Sequence, residues 1–119
     1  MEVTILDVGS VKIAICTSDI TIIKDGQTAL DFITTIGHEY GCNSIVVNKS
    51  AIYEDFFDLT TGIAGEVAQK FVNYHFQFAI IGDFSGYGSK SLNDYICECN
   101  KRGPLYFVST ENEAIEKLK

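Results

Sequence analysis

The chain has 119 residues, of which 46% are apolar, and its formal net charge is −7. This length suffices for one domain and is too short for two, and the apolar content excludes a disordered chain. The excess of Asp and Glu over Lys and Arg excludes the basic surface that a nucleic-acid backbone requires. We therefore expect one domain over residues 1–119 that does not bind nucleic acid.

The start of the sequence and the cysteine spacing predict the compartment. The chain does not open with a basic region followed by an apolar stretch, and no apolar run approaches the roughly 18 residues of a membrane span. Cys97 and Cys99 have a C-x-C spacing, whereas redox and zinc sites use C-x-x-C. We expect a reduced cytoplasmic protein with no metal, no cofactor and no membrane contact.

The first 24 residues predict a β-hairpin. Residues 3–6 and 12–15 are mostly apolar strand candidates joined by turn residues at 7–10. Residues 20–23 are either a third short strand or an extended connector.

The middle of the chain predicts two helices and two buried strands. Apolar residues recur every three or four positions after Asp25-Gly26 and again over 61–74, which is the period of a helix face. Residues 44–47 and 76–81 are nearly all apolar, as expected for parallel strands that are buried on both faces. Residues 48–58 are irregular.

The last third predicts a helix, a strand and a final helix. A Gly- and Ser-rich loop ends at residue 89, and a helix is expected over 91–100. A strand follows at 105–108, and Thr110 to Glu113 has the form of a capping box. The order β-β-α-β-α-β-α-β-α predicts a single α/β domain with a mixed sheet of about five strands, covered by helices.

The segment F-F-D-L-T-T-G-I-A-G-E, from Phe56 to Glu66, follows a buried strand and opens a helix. It resembles the central motif of the STAS domain, the fold of anti-sigma-factor antagonists, in which D-S-S-G-L stands at a helix start. The resemblance implies a STAS-like fold and a partner kinase that phosphorylates the first hydroxyl, here Thr60. The chain departs from the motif in having Leu59 after the Asp and Thr in place of Ser.

A second resemblance covers most of the chain and is to a bacterial family called domain of unknown function 4180. It rests on D-F-F-D-L-T-T-G-I-A-G-E (55–66), Q-K-F-V-N-Y (69–74), A-I-I-G-D-F-S (79–85), S-K-S-L (89–92), and E-C-N (98–100) with Gly103. This resemblance implies that the chain has relatives in that family, and it implies no particular activity.

Seven residues are candidates for a switch or binding surface. They are Asp58, Thr60, Thr61, Gly62, Glu66, Asp83 and Ser85. The structural alternative is that the two threonines only cap a helix. Gly65, inside the same helical pattern, is expected to pack closely against a neighbouring element. Lys70 is expected to pair with Glu66 one helical turn away.

Two classes of function fit these residues. We prefer a small non-enzymatic regulatory or protein-interaction module, switched by phosphorylation at the helix start at 58–66. The alternative is a domain, including an enzyme, that binds a small molecule or phosphate through the loops 48–58 and 82–91. Loop 82–91 lacks the spacing of known nucleotide-binding loops. In the ligand-binding alternative, Asn48 and Asp83 lie at the carboxyl ends of strands, and Asp58 and Glu66 join them to form an acidic cluster. A flat surface at these loops would favour the protein-interaction module. A concave site with convergent polar groups would favour the ligand-binding domain.

Overall fold

Five strands and four helices make up the computed structural model, which describes residues 1–119. The strands are β1 (Glu2–Val8), β2 (Val11–Thr17), β3 (Ser44–Asn48), β4 (Gln77–Ile81) and β5 (Leu105–Val108). The helices are α1 (Gly26–Tyr40), α2 (Ile63–Asn73), α3 (Lys90–Arg102) and α4 (Glu111–Leu118). The sheet order is β1-β2-β3-β4-β5, with β1 antiparallel to β2 and all later pairs parallel. The predicted mixed sheet with an initial hairpin is confirmed.

A two-residue turn sets the register of the hairpin. Val8 faces Val11 across the turn Gly9-Ser10, and Gly9 has a φ of 63°. A positive φ at the first central residue only is the pattern of a type II′ turn, which matches the twist of the two strands. The hairpin therefore places Val3 opposite Cys16 and Leu6 opposite Ile13.

Helices cover the two faces of the sheet unequally. Helices α1, α2 and α3 connect parallel strands and pack on one face, whereas α4 packs on the other. Each face of the sheet therefore has its own hydrophobic core, and successive side chains of β3 point into different cores. Ile45 and Val47 belong to the larger core and Val46 to the smaller one. The larger core contains Phe71 and Phe78, whose rings stack with centroids 4.3 Å apart.

One of the two alternatives for residues 20–23 is confirmed, and one predicted helix boundary is wrong. Residues 20–23 are an extended connector in which only Ile23 forms a bridge, in parallel with Ile52. The helix predicted over 61–74 begins at Ile63, because Gly62 has a φ of 78° and breaks the helical path. Thr60 and Thr61 therefore lie in a short 3-10 turn ahead of the helix.

The expectation that Gly65 packs closely is wrong. A Cβ atom built on Gly65 meets nothing within 4 Å, and the residue is exposed on α2. The close approach is made instead by Gly26 at the start of α1, where a Cβ would lie 2.9 Å from Glu66 Cγ. Helices α1 and α2 thus meet through a different glycine than the helical pattern suggested.

Gly65→Ala is therefore expected to raise the free energy of unfolding by up to about 1 kcal/mol, through better helix propensity. Chemical denaturation measures this change. The matched control is Gly62→Ala, which should destabilise the fold because its φ is 78°. A destabilised Gly65→Ala variant would mean that this face of α2 has a close neighbour.

Candidate functional site

Two loops that are distant in sequence meet at the carboxyl edge of the parallel strands. One follows β3 and holds three 3-10 turns, at Lys49–Ala51, Glu54–Phe57 and Leu59–Thr61. The other follows β4 and leads into α3. Between them lies an open cleft of about 420 Å³. Its walls are Phe57, Asp58, Leu59, Thr60, Ser89 and Ser91.

Asp58 and Thr60 form a hydrogen-bonded turn in the wall of this cleft. The Thr60 hydroxyl donates to Asp58 Oδ1 over 2.7 Å, and the Thr60 N–H donates to the same oxygen over 3.1 Å. These bonds, the hydroxyl's first, lower the pKa of the Asp58 carboxyl. Because both donors use Oδ1, Oδ2 of this exposed carboxylate is left to accept hydrogen bonds from a partner.

Thr61 bonds inward to the main chain. Its hydroxyl lies 2.9 Å from the carbonyl oxygen of Asp55 and 2.8 Å from that of Asp58, and it accepts a bond from the Ile63 N–H over 3.3 Å. The Thr61 hydroxyl therefore holds the 3-10 turn against the start of α2. Of the two threonines, Thr60 is the one that lines the cleft.

Asp83 and Ser85 repeat the geometry of Asp58 and Thr60 on the second loop. The Ser85 hydroxyl donates to Asp83 Oδ1 over 2.6 Å and the Ser85 N–H over 2.9 Å. The same two bonds, the hydroxyl's first, lower the pKa of the Asp83 carboxyl. Both loops thus present an ionised carboxylate that is fixed through one of its two oxygens.

Lys49 lies against the aromatic side chains that join the two loops. Its Nζ is 4.6 Å from the ring centroid of Tyr87, 5.4 Å from that of Phe57 and 5.8 Å from that of Phe84. These distances are in the range of cation–π attraction. A Cβ at Gly82 would lie 2.7 Å from Lys49 Cβ, so the backbone after β4 also approaches this side chain closely.

Tyr87 links the loop after β4 to the loop after β3 through a hydrogen bond. Its hydroxyl donates to Glu54 Oε1 over 2.9 Å, and burial raises its pKa. Sequence reasoning missed Lys49, Glu54 and Tyr87, because the Tyr87–Glu54 bond joins positions 33 residues apart. The available signals were a Lys directly after a buried strand and a Tyr within the Gly-rich loop.

Glu66 does not belong to the cleft. Its Oε1 accepts a hydrogen bond from the Gly26 N–H at the start of α1 over 2.9 Å. The ion pair predicted between Lys70 and Glu66 is not formed; the ion pairs present are Lys90–Asp94, Arg102–Glu98 and Lys119–Glu116. Glu66 therefore caps α1 and joins it to α2.

Asn48 is also occupied elsewhere. Its Oδ1 accepts a bond from the Ser18 N–H over 2.9 Å, and its Nδ2 donates to the Ser18 carbonyl over 2.6 Å and to the Ser50 hydroxyl. This amide links the ends of β2 and β3. The acidic cluster expected from Asn48, Glu66, Asp58 and Asp83 thus loses two members. Of the two aspartates that remain, Asp58 lines the cleft, whereas Asp83 bonds Ser85 on the second loop and is not among the lining residues.

Comparison with known proteins identifies the family. The family described as Domain of unknown function (DUF4180) matches residues 8–118. The chain belongs to the DUF4180 family. The match includes every element from the end of β1 to α4, and with them both loops of the cleft. No curated protein and no solved structure matches this DUF4180 chain. None of its helices has both the length and the apolar character needed to cross a membrane.

Proposed function

We propose that this DUF4180 domain is a cytoplasmic, STAS-like protein-interaction module that binds a basic segment of another protein at the cleft. The observation that supports this most is the charge of the two loops. Glu54, Asp55, Asp58 and Asp83 are all exposed, whereas the nearby cation Lys49 is half-buried against aromatic rings. The exposed cation Lys90, between two lining serines, is paired with Asp94 over 2.7 Å. The surface that a partner meets is therefore negative.

Electrostatics favours a partner rich in Arg and Lys. The chain as a whole carries a charge of −7, which attracts basic partners during encounter. Asp58 and Asp83 each keep Oδ2 available while Oδ1 is held by a neighbouring hydroxyl and N–H. Such preorganised carboxylates accept charge-assisted bonds from a guanidinium or an ammonium without being ordered first.

The shape of the cleft supports a peptide segment more than a small anionic ligand. The surface is concave, but two of its three lining hydroxyl groups are bonded locally: Thr60 donates to Asp58, and Ser89 accepts from the Leu92 N–H. They do not converge on a central point, as the groups of a small-molecule site do. The Asp58 carboxylate in the wall would also repel a phosphate.

Thr60 is the proposed point of regulation. A phosphate on its oxygen removes the O–H that Asp58 accepts at 2.7 Å and puts a charge of about −1.5 to −2 beside that carboxylate. The repulsion opens the turn at Leu59–Thr61 and so changes one wall of the cleft. The resemblance of the segment to the phosphorylated STAS motif supports the same residue.

Affinity capture from the native cell with matched variants tests the proposed function. Wild type is compared with a Glu54→Gln, Asp55→Asn double variant, which removes two of the four carboxylates and keeps an acceptor for the Tyr87 hydroxyl. The control is a Glu39→Gln, Glu111→Gln variant, which removes the same charge from exposed positions on α1 and α4. We expect the first variant to lose a partner that wild type and control retain. Equal recovery by all three would refute a role for the acidic surface.

A further inference from the structure

The outer edge of β1 is the second feature that indicates a binding partner. We propose that β1 pairs in antiparallel fashion with β1 of a second copy of the chain, so that the two five-stranded sheets become continuous. This interface lies on the hairpin side of the sheet and is independent of the function proposed for the cleft.

The register of the hairpin identifies the unpaired backbone groups. Hydrogen-bonded and non-hydrogen-bonded positions alternate in an antiparallel pair, and the pair flanking a two-residue turn, here Val8 and Val11, is hydrogen-bonded. The N–H and C=O groups of Val3, Ile5 and Asp7 consequently point away from β2. The side-chain hydrogen bonds and those of the loops and caps include none to β1.

The opposite edge of the sheet is protected. On β5 the side-chain amide of Asn100 accepts a bond from the Phe107 N–H over 2.8 Å and donates to the Phe107 carbonyl over 3.0 Å. This amide takes the place of a neighbouring strand, which is one way in which proteins prevent edge pairing. The edge at β1 is seven residues long and has no equivalent cover.

The sequence of β1 is complementary to itself about Ile5. In an antiparallel pair centred there, Ile5 faces Ile5 of the second copy and Val3 faces Asp7. Each of these residues is one whose backbone groups point outward, so the pairing satisfies all of them with about six hydrogen bonds. It also keeps Asp7 of the two copies apart, because each faces a valine. A second copy therefore fits this edge without a like-charge clash.

Apolar side chains beside the edge support the same partner. Helix α4 packs mainly on β4 and β5 and less on β2 and β3, and it does not cover the hairpin fully. Leu6, Val8, Val11 and Ile15 on the hairpin remain partly exposed. Pairing about Ile5 would place Leu6 opposite Thr4 of the second copy and extend the contacts of this apolar strip across the dimer axis.

Sedimentation equilibrium of the full chain tests the proposal. It is run from about 1 µM to about 1 mM protein, the range of weak to moderate association, at about 0.15 M salt to screen the net negative charge. We expect a reversible dimer in wild type and in Ile5→Val. Ile5→Pro should raise the dissociation constant at least about tenfold, because proline removes an outward N–H and leaves the bonds to β2 intact. A wild type that is monomeric throughout, or an Ile5→Pro that is folded and dimerises normally, would overturn the proposal.

Cysteine cross-linking tests the register without a proline and decides the matter if Ile5→Pro does not fold. In a Cys97→Ser background, which removes the exposed native thiol, Ile5→Cys should form a disulfide-linked dimer on oxidation. Directly facing residues lie about 5.5 Å apart at Cα, within reach of a disulfide. Val3→Cys is the matched control and should not cross-link, because its counterpart in the second copy is four positions away. Equal cross-linking of both variants, or none of either, would contradict the pairing.

Discussion

Replacing Ile80 by alanine is expected to lower the free energy of unfolding by about 2–5 kcal/mol. Ile80 is fully buried on β4, where it faces Val47 on β3 and Phe107 on β5. Its side chain belongs to the larger core, between the sheet and the helices of that face. Removing it therefore loses the transfer free energy of the side chain and leaves a cavity.

The measurement is the denaturant midpoint and slope of the variant against wild type. Ile20→Ala is the matched control, because it makes the same chemical change at a side chain that is 72% exposed. The control should move the stability by less than about 0.5 kcal/mol, as surface changes usually do. Equal midpoints for wild type and Ile80→Ala would contradict the burial of this side chain in the larger core.

Thr60→Glu is expected to abolish most binding of the native partner while leaving the melting temperature nearly unchanged. The new carboxylate replaces a hydroxyl that donates to Asp58 over 2.7 Å, so attraction becomes repulsion and the turn opens. Thr60 is exposed, and the fold depends little on its side chain. The loss of the cleft's shape outweighs the added attraction for a basic partner, because the Asp58 carboxylate is no longer held in place by the Thr60 hydroxyl.

Two substitutions at the same position separate charge from shape. Thr60→Ala keeps the backbone N–H that bonds Asp58 and should retain binding. Thr60→Gln has the size of Glu without its charge and should bind more tightly than Thr60→Glu. Partner affinity by calorimetry decides the matter. If Thr60→Glu binds normally, and mass spectrometry of protein from its own cells finds Thr60 unmodified, the Thr60 hydroxyl serves only to hold the turn through Asp58.

Local signals in the sequence predicted most elements of the fold. The strand at residues 105–108 is correct to the residue, because Gly103-Pro104 and Ser109-Thr110 mark both of its ends. Helix α1 begins at Gly26, where the helical period was expected to start after Asp25-Gly26. These boundaries depend on neighbours in sequence and could be found without the structure.

Contacts between distant segments could not be predicted in the same way. Glu66 was expected in the site, but it caps the start of α1 through Gly26, 40 residues away. The sequence did not indicate that Lys49 contacts aromatic rings, because the ring of Tyr87 comes close to it only when the loops after β3 and β4 meet. The predicted start of α2 at residue 61 is two residues too early, because the helical spacing of apolar residues does not reveal that Gly62 has a positive φ.

An NMR titration of isotopically labelled protein with a short oligo-arginine peptide tests most directly whether the acidic loops of the cleft bind a basic segment. The probe carries the charge of the proposed partner segment and requires no knowledge of its identity. We expect the backbone amide shifts to concentrate on residues 53–61 and 83–91, and we expect Glu54→Gln with Asp55→Asn to reduce them greatly. Shifts spread evenly over the acidic positions of α1 and α4, or unchanged by that double variant, would contradict a recognition surface at the cleft.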